Sequence, residues 1–140
     1  MRHVVIASHA HFAQGIAQSV ELLAGIPCDV RTLSCFVDGN NDVAALAQRE
    51  LDAIPDADEV VVCTDLLGGS VNNEFLQLVQ RRPRVHLLTN MNLPLLLTLV
   101  LGLDDSEDLA PFLRELVSSD EVRPAYCNDA LPGVDADEEF

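Results

Sequence analysis

The chain has 140 residues, of which 49% are hydrophobic and 22% charged, so it is long enough to bury one hydrophobic core and too short for two. Its net charge is −15 and it contains no lysine. Such a surface repels nucleic acid and anionic lipid, which excludes both as expected partners and favours a basic protein.

The first predicted elements are a strand over residues 2–8 and a helix that follows it. Between positions 12 and 23 apolar residues recur every three or four positions, which is the period of a helix, and Gly25 ends that helix. The N-terminal residues run directly into the strand, without the apolar region and cleavage site of a signal peptide. We therefore expect a cytoplasmic protein.

Strands and helices alternate through the rest of the chain. We predict strands over residues 29–36, 59–64 and 85–89, and helices over residues 42–54, 71–82, 93–101 and 107–118. Ser106 is the predicted cap of the last helix. The apolar run over residues 93–103 is shorter than the roughly 20 residues that cross a bilayer, so it is predicted to be a buried helix.

Apolar strands that alternate with helical segments are typical of a parallel sheet covered on both faces. The predicted fold is therefore α/β, with three layers (α/β/α) around a mainly parallel, doubly wound sheet. Residues 122–127 are a candidate antiparallel edge strand at the C-terminal end. We assign residues 1–128 to one domain and residues 129–140 to an acidic tail, which we expect to be mobile.

Polar residues follow three of the predicted strands, at the end where open parallel sheets bind ligands. The candidate site residues are Ser8, His9, Thr64, Asp65, Gly68, Gly69, Ser70 and Asn92. In the common doubly wound strand orders the first and third strands are neighbours. His9 and Asp65 are then expected to lie side by side at one rim of the sheet.

An imidazole beside a carboxylate is suited to nucleophilic chemistry. A carboxylate bound to one ring nitrogen fixes the tautomer, so Asp65 would leave the other nitrogen of His9 free to attack phosphorus. Residues 68–70 begin a helix with two glycines and a serine, which supply N–H groups and a hydroxyl for an anion. The expected site needs no metal and no cofactor.

Each candidate residue also has a structural interpretation. His9 taken alone would serve equally well in a helix cap, Asp65 in a turn, and residues 68–70 as a loop with an N-cap. The other three histidines are interpreted as structural and the four cysteines as reduced, structural thiols. The functional interpretation depends on all candidates lying at the same end of the sheet.

Three stretches resemble the mannose-family IIA domains of the phosphoenolpyruvate-dependent sugar phosphotransferase system. They are SHAHFAQGIAQSVELLAG (8–25), TDLLGGSVNNEF (64–75) and TNMNLPLLL (89–97). The resemblance extends from residue 2 to about residue 122. Ala10 stands where the family usually has glycine, and Val71 stands where it usually has proline.

The resemblance implies a phosphocarrier in which His9 is the phosphorylated nucleophile. Asp65 would hydrogen-bond the other ring nitrogen, Ser70 would help bind the phosphoryl group, and Asn92 would shape the adjoining loop. The small carrier HPr would be the phosphoryl donor and a histidine of a IIB component the acceptor, with the membrane IIC and IID components involved indirectly. A homodimer with an exchanged C-terminal strand is also implied.

Other functions stay open. The related phosphocarrier domain that feeds dihydroxyacetone kinase shares the fold and the N-terminal histidine, but it characteristically has a methionine-glycine-serine stretch where this chain has LLGGSVNN. A non-catalytic regulatory or nucleotide-binding α/β module is a further alternative, although no GxGxxG or P-loop pattern occurs. A phosphoaspartate receiver would need an acidic cluster after the first strand and a lysine, and this chain has neither.

Overall fold

The structure, a computed structural model, describes residues 1–132 and shows a parallel sheet between layers of helices. The strands are β1 (Arg2–His9), β2 (Asp29–Cys35), β3 (Glu59–Thr64) and β4 (Val85–Leu88). The helices are α1 (Phe12–Ala24), α2 (Val43–Asp52), α3 (Ser70–Val79), α4 (Leu93–Gly102) and α5 (Leu109–Ser118). The strand order is β2-β1-β3-β4, and all neighbours are parallel. The predicted α/β fold is confirmed.

The two faces of the sheet are covered by different helices. Val4 and Ile6 of β1 pack into a core with α1, α4 and α5, whereas Val5 and Ala7 pack into a second core with α2 and α3. Alternate residues of a strand point to opposite faces, so one apolar strand serves both cores. β1 lies between β2 and β3 in the sheet, and its carboxyl end is at the rim.

Local sequence signals set two of the helix boundaries. α1 ends before Gly25, which adopts a φ of 74° and donates its N–H to the carbonyl of Glu21. α4 begins after Asn92, whose side chain accepts the N–H of Leu95 at 2.9 Å. The four cysteines are free thiols, as predicted, and burial raises the pKa of Cys63 to about 12.

The start of α5 differs from the prediction. Asp108 occupies the cap position without a side-chain cap bond, and the hydroxyl of Ser106 has no partner within residues 1–132. Arg2 explains the difference, since its guanidinium donates to the carbonyls of Leu103 and Ser106 at 2.7 Å and of Glu107 at 2.9 Å. The tertiary contact fixes this loop, so the predicted Ser106 cap is wrong.

The candidate edge strand over residues 122–127 does not form. The described chain has two 3₁₀ turns here, Asp120–Val122 and Cys127–Ala130. The carbonyl of Val122 accepts the side-chain amide of Asn92 at 2.6 Å, and Pro124 has no N–H to offer a ladder.

Two further sequence predictions concern the domain boundary and the membrane. The boundary at residue 128 stays a prediction, and residues 133–140 of the predicted acidic tail lie outside the described residues. Over residues 1–132 we find no helix with the length and hydropathy of a transmembrane span.

Candidate active site

His9 and Asp65 meet at the carboxyl end of the sheet because β1 and β3 are adjacent. Asp65 Oδ2 lies 2.9 Å from His9 Nδ1 and also accepts the backbone N–H of His9 at 2.9 Å. An ionised carboxylate only accepts hydrogen bonds, so Nδ1 carries the proton of a neutral ring and Nε2 keeps its lone pair. The His9 side chain is 39% exposed and that of Asp65 is 14% exposed. The pair therefore combines a fixed ring with an accessible nitrogen.

The start of α3 lies beside the free nitrogen. Ser70 Oγ is 3.4 Å from His9 Nε2. A Cβ on Gly69 would lie 3.2 Å from His9 Cε1, so only glycine leaves the ring its full space. Gly68 adopts a φ of 81°, in the left-handed region that favours glycine. Gly69 and Ser70 thus lie next to the imidazole, with Gly68 in the turn before them, at a helix terminus that favours an anion.

Phe36 contacts the imidazole, although the sequence analysis did not identify it. Its ring stacks on that of His9, with centroids 5.4 Å apart and planes 14° from parallel. The parallel register pairs His9 with Cys35, so the residue after β2 necessarily comes to the rim beside His9. The predicted end of β2 at residue 36, next to the first strand, was the signal that could have identified it.

Asn90 is a second rim residue that the sequence analysis did not single out. Its side-chain oxygen accepts the N–H of Leu67 at 2.9 Å, and Asn73 donates to the carbonyl of Gly68 at 3.2 Å. The loop between β3 and α3 is therefore held from both sides. The TNMN stretch contained the signal, but a lone asparagine in it does not show which loop it reaches.

Ser8, Thr64 and Asn92 support the rim from below. The buried Ser8 hydroxyl accepts the N–H of Ala13 at 2.6 Å and so fixes the start of α1. The buried Thr64 hydroxyl lies 2.7 Å from Asn72 Oδ1 and 2.8 Å from Thr89 Oγ1, which joins β3, α3 and the end of β4. Asn92 caps α4 and holds the 120–122 turn, as described above. Their hydrogen bonds join scaffold elements to one another.

The carboxylate of Asp65 contacts the ring through one of its two oxygens, Oδ2. Its second oxygen, Oδ1, is buried and has no hydrogen-bond partner within the described residues. Burial, followed by the charge of Asp65, raises the pKa of the Cys35 thiol below the site. A buried carboxylate with an unpaired oxygen stabilises positive charge on its neighbour, which is the charge an imidazole gains when its second nitrogen forms a bond.

The two departures from the family pattern leave the reacting groups in place. Ala10 adopts a φ of 53°, a left-handed conformation that costs an L-residue about 1 kcal/mol, and its N–H bonds the carbonyl of Cys35 at 2.8 Å. Val71 is fully buried in the core between the sheet and α3. In the part of the chain that the structure describes, no group of three or more histidine, cysteine, aspartate and glutamate side chains is arranged to hold a metal.

Comparison with known proteins identifies the family. The family model described as the PTS system fructose IIA component, where PTS is the sugar phosphotransferase system, matches residues 3–117. The chain belongs to the mannose-family PTS IIA components.

Relatives of this PTS IIA chain cover most of its length. The sorbose-specific EIIA component of Klebsiella pneumoniae is 30% identical over an alignment of 122 residues. The alignment covers 84% of this chain and 88% of that protein. The fructose-specific EIIA component of Bacillus subtilis (strain 168) is 24% identical over 135 residues, 96% of this chain and 92% of that protein. A crystal structure from Klebsiella pneumoniae subsp. pneumoniae MGH 78578, described as a PTS permease, is 35% identical with a TM-score of 0.84, covering 92% of this chain and 93% of that chain.

PTS IIA components are phosphotransfer proteins, and the chemistry available at the rim of this chain agrees with that role. The rim offers one exposed ring nitrogen, a carboxylate behind the ring and a helix terminus in front of it.

Proposed function

We propose that this PTS IIA component carries a phosphoryl group on Nε2 of His9, taken from phospho-HPr and passed to a histidine of a IIB component during sugar uptake. The observation that carries the proposal is the 2.9 Å contact between His9 Nδ1 and Asp65 Oδ2, which leaves the lone pair on Nε2 of a side chain that is 39% exposed. The family membership supports the same role.

In the proposed transfer the lone pair of His9 Nε2 attacks the phosphorus of the donor phosphohistidine. The donor P–N bond breaks, and its electron pair returns to the donor ring. The proton on Nδ1 stays in its hydrogen bond to Asp65, so the carboxylate balances the positive charge of the phosphorylated ring. Transfer to the IIB component follows the same steps in the opposite direction.

The transferring phosphoryl oxygens would contact the start of α3. Ser70 supplies a hydroxyl 3.4 Å from Nε2, and the first turn of a helix has N–H groups without intrahelical partners. The Ser70 hydroxyl lies on the side of the ring where charge moves during transfer, and the helix dipole adds to its effect. We therefore expect the Ser70 hydroxyl, which lies beside Nε2 of the resting ring, to bind the phosphoryl group after transfer.

Exposed apolar side chains follow the proposed nucleophile and Asp65 along the chain and suit a protein partner. Phe12 at the start of α1 and Leu66 and Leu67 in the loop before α3 are all about half exposed or more. Exposed apolar groups clustered around a reactive residue are typical of protein interaction sites. Docking of HPr and then of a IIB component on this rim would bring each partner's histidine to Nε2.

We also propose that the protein acts in the cytoplasm as a homodimer.

The proposal is tested by phosphorylation with phosphoenolpyruvate, enzyme I and HPr. We expect one acid-labile phosphoryl group per chain, no label in His9→Ala, and full labelling in His11→Ala, a matched control two residues away whose ring bonds Gln14 at the surface. Label that passes on to a IIB component and not to dihydroxyacetone kinase identifies the acceptor class. Unchanged labelling of His9→Ala would contradict the proposal.

A further inference from the structure

We propose that Phe36 is a positioning residue that holds the His9 imidazole in its reactive orientation and protects the phosphorylated ring from water. The inference rests on the proposed phosphohistidine, and it assigns a role to a side chain outside the His–Asp pair and the start of α3. The Phe36 ring lies over one face of the imidazole, with centroids 5.4 Å apart and planes 14° from parallel.

Phe36 completes the set of contacts that fixes the imidazole. Asp65 binds Nδ1, and Gly69 lies so close to Cε1 that an added Cβ would come within 3.2 Å of it. The hydrogen bond at Nδ1 acts in the plane of the ring and by itself does not prevent the ring from tilting. A stacked aromatic ring opposes tilting, since stacking requires the two planes to stay near parallel. The remaining in-plane position, Nε2, points towards Ser70.

The backbone at Phe36 is held in an unusual conformation. Its φ is 62°, which is a genuine outlier for a bulky residue. Asn40 imposes this turn: its carbonyl accepts the Phe36 N–H at 3.1 Å, its side-chain oxygen accepts the N–H of Val37, and its amide donates to the carbonyl of Ser34 at 2.9 Å. When several hydrogen bonds hold a residue in a strained conformation, the strain indicates a functional constraint.

Burial in the core does not explain why an aromatic ring occupies this strained position. Phe36 is 42% exposed and belongs to neither of the two apolar cores. The aromatic contact that the structure gives it is the one with His9. The interaction with His9 therefore offsets the strain. When Nε2 bonds phosphorus and Nδ1 keeps its proton, the imidazole becomes cationic, and an aromatic face stabilises such a ring.

Loss of the stacked ring should favour hydrolysis over transfer. In hydrolysis a water oxygen attacks phosphorus, the P–N bond breaks, its electron pair returns to Nε2, and inorganic phosphate leaves. The Phe36 ring covers one side of the site and limits the approach of water, so the phosphorylated protein persists until an acceptor docks.

The test compares Phe36→Leu, Phe36→Tyr and the control Leu101→Ala, since Leu101 is an exposed apolar residue near the C-terminal end of α4, away from the proposed site. We expect Phe36→Leu to shorten the half-life of the phosphorylated protein about two- to fivefold and to slow uptake from phospho-HPr. Phe36→Tyr keeps the stacked ring and should restore both values. Leu101→Ala should leave both values unchanged. If Phe36→Leu does not fold, Phe36→Met takes its place.

A nitrogen-15 NMR spectrum of the unphosphorylated His9 ring gives a readout that does not require phosphoryl transfer. Phe36→Leu is expected to lower the Nδ1–H fraction and broaden the ring signals, while Phe36→Tyr leaves them as in the original protein. Unchanged half-life and ring signals in Phe36→Leu, or equal changes in Leu101→Ala, would overturn the inference. If no variant is ever phosphorylated the proposed function fails, and the ring signals still decide whether Phe36 orients His9.

Discussion

β1 carries a histidine at each end, and each histidine contacts aspartate. At the amino end His3 is 4% exposed, with Nδ1 2.7 Å from Asp29 Oδ2 and Nε2 2.8 Å from Asp58 Oδ2. At the carboxyl end only Nδ1 of His9 contacts a carboxylate, and the side chain that carries Nε2 is 39% exposed. The same two residue types therefore form a buried structural bridge at one end and an open site at the other. The decisive difference is a free, accessible ring nitrogen.

The sharpest test of this difference compares two substitutions, one of an aspartate that contacts the histidine at each end of β1. Asp65→Asn removes the charge that holds the Nδ1 proton and balances the phosphorylated ring. We expect the initial rate of phosphoryl uptake from phospho-HPr to fall roughly a hundredfold. Asp58→Asn, at the His3 end, should leave that rate unchanged. Similar losses in both variants would show that the two ends do not have separate roles.

A smaller effect is expected from Gly69→Ala, which adds a methyl group 3.2 Å from His9 Cε1. The ring must shift by a few tenths of an ångström, and we expect the uptake rate to fall about tenfold. Gly69 has an ordinary φ of −73°, but it is the N-cap of α3 and the added Cβ would lie 3.3 Å from the Leu66 carbonyl oxygen, so we expect a loss of stability of about 1 kcal/mol as well.

Gly15→Ala is the matched control for Gly69→Ala. A Cβ at Gly15, inside α1, meets no atom within 4 Å. This variant should keep the uptake rate and gain about 0.5–1 kcal/mol in urea unfolding. An uptake rate in Gly69→Ala equal to that of Gly15→Ala would show that the ring tolerates the displacement.

The smallest effect concerns the amino end and acid stability. Hydrogen bonds from His3 lower the pKa of Asp58, and hydrogen bonds from His3 and Arg31 lower that of Asp29. Carboxylates with a lowered pKa stabilise the folded state above their unfolded value of 3.8 and lose that contribution as pH falls through the folded value. Urea unfolding should therefore show stability decreasing below about pH 4, and less steeply in Asp29→Asn. Equal slopes would contradict the bridge.

The sequence predicted the elements that depend on local pattern. β3 has the predicted bounds, residues 59–64, because its apolar run and its flanks are unambiguous. The pairing of His9 with Asp65 followed from strand order alone. The predicted end of β2 brought Phe36 to the rim, but its contact with His9 was missed because it also requires a positive φ at a bulky residue, which no local pattern signals. The edge strand over residues 122–127 failed because Asn92, thirty positions earlier, bonds the carbonyl that a ladder would use.

The hydroxyl of Thr64, bonded to Asn72 and Thr89 beneath the rim, has a consequence for the timing of exchange. Because these bonds form on folding, the groups around the imidazole are already ordered when a partner arrives, and little conformational entropy is lost at the encounter. The proposed carrier would meet two different partners in turn, and an already ordered site would favour both encounters. Neither proposed complex would then have to be tight for the exchange to be fast, and each partner could leave readily after it.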